Sequence, residues 1–213
     1  MKKIQLVMIT ASMIGMSATA VNAQSAFEGA YGQIGIGYEN VTPSFSGGSI
    51  AGYGYNVSAA NSNSFTGTAT VGYSFAVAPT FLLGIGAEYS PISGSNANFT
   101  LNVPSLRYSA TAQYNKQDSY NIFLSPGIVI DKDKLAYAKV GYTGANVKSS
   151  DGGNSSLTGY SLGLGYKQII SGGLYGFGEI NYASYGNVNI GDGATGTFSA
   201  NTSNILVGLG YKF

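Results

Sequence analysis

Six charged side chains fall where an extended chain would place them all on one face: Glu39, Glu88, Lys139, Lys167, Glu179 and Lys212. Carboxylates and ammonium groups sharing a face can pair as ions, line a gate for small charged solutes, or serve as an acid–base set. The rest of the chemical inventory is short. The 213 residues contain no cysteine, histidine or tryptophan, which removes disulfides, thiolate metal sites, Cys or His nucleophile chemistry and His-based general acid–base catalysis. Asp131 and Asp133 alternate with Lys132 and Lys134, which reads as a solvated turn, so no metal and no cofactor is expected. Ten basic residues nearly cancel nine acidic ones and only one residue is arginine, a poor basis for binding nucleic acid.

The elements that must hold those charges are strands. From Phe65 to Phe75, apolar residues and glycine alternate with Thr, Gly and Ser, the signature of a strand with one apolar face. The pattern recurs over Phe81–Tyr89, Tyr120–Ile130, Ala136–Tyr142, Tyr160–Tyr166 and Ile205–Phe213. It is less clean over Ala30–Glu39 and Leu174–Tyr185, giving eight strands in all. Pro126 lacks a ladder N–H, so a bulge or local break is expected there. Short turns follow the second, fourth and sixth strands. Long Ser/Asn/Gly/Thr-rich loops, roughly 41–64, 91–118, 146–157 and 186–203, follow the first, third, fifth and seventh. That asymmetry is the pattern of a transmembrane barrel with both termini at the short-turn end.

Membrane rather than water follows from where charges and aromatics sit. No strand carries a charge on its apolar face, where one would cost roughly 2–4 kcal/mol at mid-bilayer. On that face Tyr38, Tyr89, Tyr120, Tyr142, Tyr160 and Tyr182 lie toward the long-loop end. Tyr73, Phe75, Phe81, Tyr166, Tyr211 and Phe213 lie toward the other, with Ile, Leu, Val and Ala between. Two aromatic girdles around an aliphatic belt are what a bilayer selects. Inward glycines precede outward tyrosines at Gly37, Gly72, Gly141, Gly159, Gly165 and Gly210, leaving room for long polar side chains in a narrow interior.

The N-terminus adds an address. Met1-Lys2-Lys3, an apolar stretch from Ile4 to Val21 and the small residues of Val21-Asn22-Ala23 form an export signal, with cleavage between Ala23 and Gln24, or alternatively after Ala20. Residues 1–23 are then a cleaved signal peptide and 24–213 the barrel, whose mature net charge is −1 once Lys2 and Lys3 are gone.

With these features the chain resembles the small outer-membrane β-barrel superfamily, the group of the outer-membrane protein A transmembrane domain and the opacity-type porin family. The resemblance covers the whole mature chain and is carried by the signal peptide, the eight alternating strands and the ending Ile205-Leu206-Val207-Gly208-Leu209-Gly210-Tyr211-Lys212-Phe213. It implies the outer membrane of a Gram-negative bacterium, a lipid bilayer as partner and a monomer. It also implies that Phe213, Tyr211 and Leu209 form a signal read by the barrel-assembly machinery. The enzymes of this architecture rely on a histidine that this chain lacks, so no catalysis is expected.

In the lumen, Glu88, Lys139 and Glu179 come out at similar heights, with Lys167 and Lys212 lower. They read as a polar plug in preference to a gate, because eight strands rarely leave an open channel. The expected role is a closed or very narrow barrel contributing to envelope structure or to surface interactions through its loops. The alternative is a narrow porin for ions or small solutes. Phe99–Val103 and Arg107–Tyr114 can form a hairpin above the membrane around Pro104, a protruding edge able to pair with a partner strand. A ten-stranded barrel using that hairpin is disfavoured by Asn102, Arg107 and Gln113.

Overall fold

Alternation of period two becomes eleven antiparallel strands. The computed structural model describes residues 25–46, 48–150, 154–189 and 195–213. The strands are β1 (Gly29–Ser46), β2 (Gly48–Ile50), β3 (Tyr53–Ala59), β4 (Ser62–Ala78), β5 (Phe81–Ser90), β6 (Ala97–Val103), β7 (Tyr108–Asp131), β8 (Lys134–Ser149), β9 (Asn154–Ser171), β10 (Leu174–Asn189) and β11 (Thr197–Lys212). A 3-10 turn, Pro104–Leu106, joins β6 to β7. The expected signal segment, with Ala23 and Gln24, lies outside the described residues.

Eight of the strands close a ring in the order β1, β4, β5, β7, β8, β9, β10, β11 and back to β1, every contact antiparallel. Closure leaves the ring no free edge within the bilayer, the condition for strands to span it. The remaining three, β2, β3 and β6, belong to the first two long loops and stay outside the ring. β2 pairs with β3, β3 with β6 and β6 with the upper part of β7. The ring is therefore eight-stranded, and the Pro104 hairpin is an appendage to it.

The outer face of the ring is the apolar one. Ile34 is 69% exposed and Val71 65%, values a water-soluble barrel would not tolerate repeatedly around its circumference. Every residue of the two girdles named above is likewise exposed on this face. At Pro126 the register holds but pairing with β8 lapses between Leu124 and Gly127, the local break that a missing N–H produces.

The long loops differ from the polar coil the composition suggests. Most of their residues continue the strands upward. β1 and β11 stay paired to Ser46↔Thr197, and β8 and β9 to Lys148↔Asn154. Along these extensions the amphipathic pattern turns inside out. On β1 the outward residues change from Ile34, Ile36 and Tyr38 to Asn40, Thr42 and Ser44, while the inward ones change from Gln33 and Glu39 to Val41 and Phe45. On β8, outward Val140 and Tyr142 give way to Asn146 and Lys148, and inward Ala145 and Val147 turn apolar. Above the upper girdle the chain thus builds a second, water-facing body, here called the head. Its interior is a cluster of Ala145, Leu157, Ala183, Tyr185 and Ala200 with Val147 and Phe198 packed on it. Phe45 bridges the head, 4.8 Å from Phe198 and 6.4 Å from Phe99 between ring centroids. Tyr55, Val103 and Tyr114 are buried on the same side.

Candidate functional site in the lumen

The lumen is occupied from end to end. At mid-height the Lys139 ammonium, on β8, lies 2.9 Å from a Glu88 oxygen on β5 and 2.9 Å from a Glu179 oxygen on β10. Three strands of the ring thus contribute one triad. The triad's remaining valences are met nearby. Thr70 donates to Glu88 at 3.2 Å, and Asn181 to Glu179 at 3.2 Å. The Tyr137 hydroxyl and Gln33 both donate to the other Glu179 oxygen. Lys139 also sits 4.6 Å over the Phe123 ring. A dry ion set is tolerable only when its partners are this complete, since a single unpaired buried charge is very costly.

Lys167 lies below the triad, the lower level at which the sequence places it. No carboxylate among the described residues lies within ion-pairing distance of its ammonium. Instead it is caged by the rings of Tyr31 at 3.9 Å, Tyr175 at 4.9 Å and Tyr137 at 5.1 Å, whose negative faces attract the cation. The triad carries one formal negative charge in excess, and the Lys167 amine lies one level down among the rings. Lys212 stays at the periplasmic rim, half-buried, and joins neither group.

The lower lumen is aromatic and aliphatic, which corrects the expectation of a polar interior throughout. Each inward ring lies across an inward glycine on the adjacent strand: Tyr31 over Gly72, Tyr137 over Gly165, Tyr175 over Gly210 and Phe123 over Gly86. A methyl group at any of these glycines would collide with the facing ring. Glycine therefore makes room for aromatic rings as well as polar chains, an arrangement known to protect glycine in sheets. The bottom is sealed by Phe27, Leu82, Leu135 and Tyr137, with Val129 and Ile169 against them. Phe27 comes from the turn that precedes β1, where Glu28 N–H donates to the Ser25 carbonyl.

A second ion pair closes the top. Lys116 on β7 reaches Glu39 on β1 at 2.6 Å, with both side chains about 95% buried. A cavity of about 40 Å³ separates this pair from the triad, lined by Glu39, Glu88, Lys116, Asn121, Thr143 and Tyr185 among others. It is the size of one or two water molecules. Lys116 lies in what the sequence presents as a loop. A bulge between Lys116 and Ser119 shifts the phase of β7, so that inward residues are odd-numbered below it and even-numbered above. Parity counted from Tyr120 upward fails at that bulge. The only signal was composition, a lone lysine opposite the otherwise unpartnered Glu39.

Outside the membrane, Tyr114 in the head and the Asp131–Lys134 turn have shifted ionisation. Tyr114, buried in the head with its hydroxyl donating to the Ala60 carbonyl at 2.8 Å, is pushed up to about 12 by burial. The Asp131 carboxyl in the β7–β8 turn is held below its ordinary value by the Lys132 N–H donating to it and by Lys134.

Comparison with known proteins agrees with this architecture. The family model described as outer membrane protein beta-barrel domain matches residues 8–213. No curated protein matches the sequence. Among solved structures, the outer membrane protein OprG from Pseudomonas aeruginosa is similar with a TM-score of 0.56 at 13% identity, over 87% of this chain and 96% of that one. Neisserial surface protein A is similar with a TM-score of 0.52 at 13% identity, over 87% and 98%. At such identities the likeness is one of fold. With the family model covering nearly its full length, the chain belongs to the outer membrane protein beta-barrel domain family and resides in the outer membrane.

Proposed function

We propose that this protein is a closed, non-catalytic barrel whose transmembrane ring is an anchor and whose work is done by the head at the cell surface. One observation carries the reading: the lumen is interrupted at every level, by Phe27 and its neighbours, the Lys167 cage, the Glu88–Lys139–Glu179 triad and the Glu39–Lys116 pair. An ion crossing it would have to displace an aliphatic seal and open two dry ion-pair layers. The chain has no histidine to act as a general base, and the interior lysines are engaged with carboxylates or rings. A narrow pore is the competing reading, favoured by the two stacked Glu–Lys layers with a small cavity between them. The terminal Leu209, Tyr211 and Phe213 serve, on this proposal, as the signal for the assembly machinery.

Planar-bilayer recording separates the two readings. Refolded mature chain is measured beside Lys139→Ala and Glu88→Ala, folding being confirmed by faster gel migration before boiling. Wild-type protein is expected to be silent. Discrete openings in the wild type that change with either substitution would make the lumen the functional site.

A further inference from the structure

Several strand edges of the head lack a ladder partner among the described residues, and the upper part of β7 is one of them. The outer edge of β6 is taken by β3, and the edge of β2 is met by Thr195, whose N–H donates to the Ser49 carbonyl at 2.8 Å. β7 outruns its neighbour. Its pairing with β8 ends at Tyr114↔Ser149, and Ser150 adds a last pair of bonds to Gln113, its N–H donating to the Gln113 carbonyl and its hydroxyl oxygen accepting from the Gln113 N–H. Above that point, Tyr108–Ala112 pair only with β6, and no described residue meets them on the β8 side.

Strand geometry fixes which groups are left. Backbone N–H and C=O alternate between the two edges of a strand, so the groups of Thr111 and Ser109 point the same way as those of Gln113. Natural edges of this kind are blunted by lysine, proline, a bulge or a covering segment. Among the described residues, Tyr108-Ser109-Ala110-Thr111-Ala112 has none of these, and its nearest charge in sequence is Arg107 at the tip.

The arrangement is self-complementary. Two such edges laid antiparallel about a two-fold axis at Ala110 place Ser109 opposite Thr111 of the second copy, and Thr111 opposite its Ser109. Both are pairs in which N–H and C=O are exchanged, so all four free groups on each edge are satisfied. Ala110 faces its own counterpart, where a small side chain allows close approach. Two barrels in one membrane present β7 in the same direction, so the antiparallel arrangement requires opposite orientations. From Tyr120 to Tyr108, β7 rises about 40 Å of extended chain at ~3.3 Å per residue, enough to stand clear of the bilayer. We propose that the Ser109–Thr111 edge of β7 pairs with the same edge of a second copy embedded in a facing membrane, making the protein a homotypic contact between cells. The proposal rests on the reading that the head is the working part.

The absence of cysteine makes the register testable. Full-length mature chain is reconstituted in two populations of phosphatidylcholine vesicles carrying different dyes, and docking is read by energy transfer. Docking is expected only when both populations carry protein, and at least a tenfold loss is expected for Thr111→Pro, which removes one outward N–H without touching the β6 ladder. Under oxidation, Ala110→Cys alone is expected to give a disulfide dimer. Ala112→Cys alone should give none, yet cross-link when mixed with Tyr108→Cys. Gel mobility before boiling confirms that every variant is folded. Docking that needs protein on one side only, docking that survives Thr111→Pro, absence of docking, or equal cross-linking of Ala110→Cys and Ala112→Cys would each overturn the pairing. A silent bilayer with no docking would sink the pairing alone, whereas a conducting wild type would sink the closed-barrel reading.

Discussion

The ring and the head are built from the same strands with opposite polarity. Below the upper girdle β1, β8, β9, β10 and β11 turn aliphatic side chains outward and keep Lys139, Glu179 and Lys167 inside. A few residues higher the same strands turn Asn, Ser, Thr and Lys outward and bury Val41, Ala145, Leu157 and Ala200. The backbone runs through without a break, so the inversion is written wholly in side-chain choice. Its cause is the change of solvent at the tyrosine level. In the bilayer the inside is the only refuge for polarity, and above it the inside is the only refuge for apolar surface.

The difference can be broken at either end. The largest effect is expected for Lys139→Met, which strands two carboxylates in a dry lumen at a cost of about 3–5 kcal/mol; urea unfolding followed by gel mobility checks it. Next comes Val207→Lys, a charge in the middle of the outer belt, expected to cost about 2–4 kcal/mol in the same assay. Leu157→Ala, in the head, is expected to cost about 2–5 kcal/mol of local rather than global stability. It should admit protease to the head while the ring keeps its mobility, a dissociation that Lys139→Met should not show. Gly165→Ala should displace the Tyr137 ring and cost about 1–3 kcal/mol.

The smallest effect belongs to the β7–β8 turn. With its folded pKa held down, Asp131 contributes stability above its unfolded value of about 3.9 and loses it as pH falls through the folded one. The group is fully exposed, so Asp131→Asn should leave the unfolding midpoint at pH 7 unchanged within error.

The ring was legible because the bilayer imposes a strict code: period two, no outward charge, aromatics at two levels. Tyr73, Tyr89, Tyr120 and Tyr211 could be assigned from spacing alone, and so could the shared height of Glu88, Lys139 and Glu179. The head was not legible, because its apolar residues are spaced among Ser, Asn and Gly at a density that coil also shows. It takes the pairing of Val41, Leu157 and Ala200 across strands to reveal a core. Lys116 was hidden by a one-residue change of phase, which no periodicity survives. The cage around Lys167 was hidden for a different reason. Tyr31, Tyr137 and Tyr175 look like misplaced girdle residues until their facing glycines are known from the register. The extracellular hairpin around Pro104 was visible, but its cover by β3 and its open edge were not.

The inversion itself is tested by placing single cysteines along β8 from Ala136 to Lys148, labelling each with a fluorophore and quenching in lipid vesicles from the lipid or the water side. Ala138, Val140 and Tyr142 are expected to respond to the lipid quencher, Asn146 and Lys148 to the aqueous one, and Thr143, Ala145 and Val147 to neither. Free access of the aqueous quencher to Ala145 and Val147 would mean that the head is a set of loose loops, and would contradict the account.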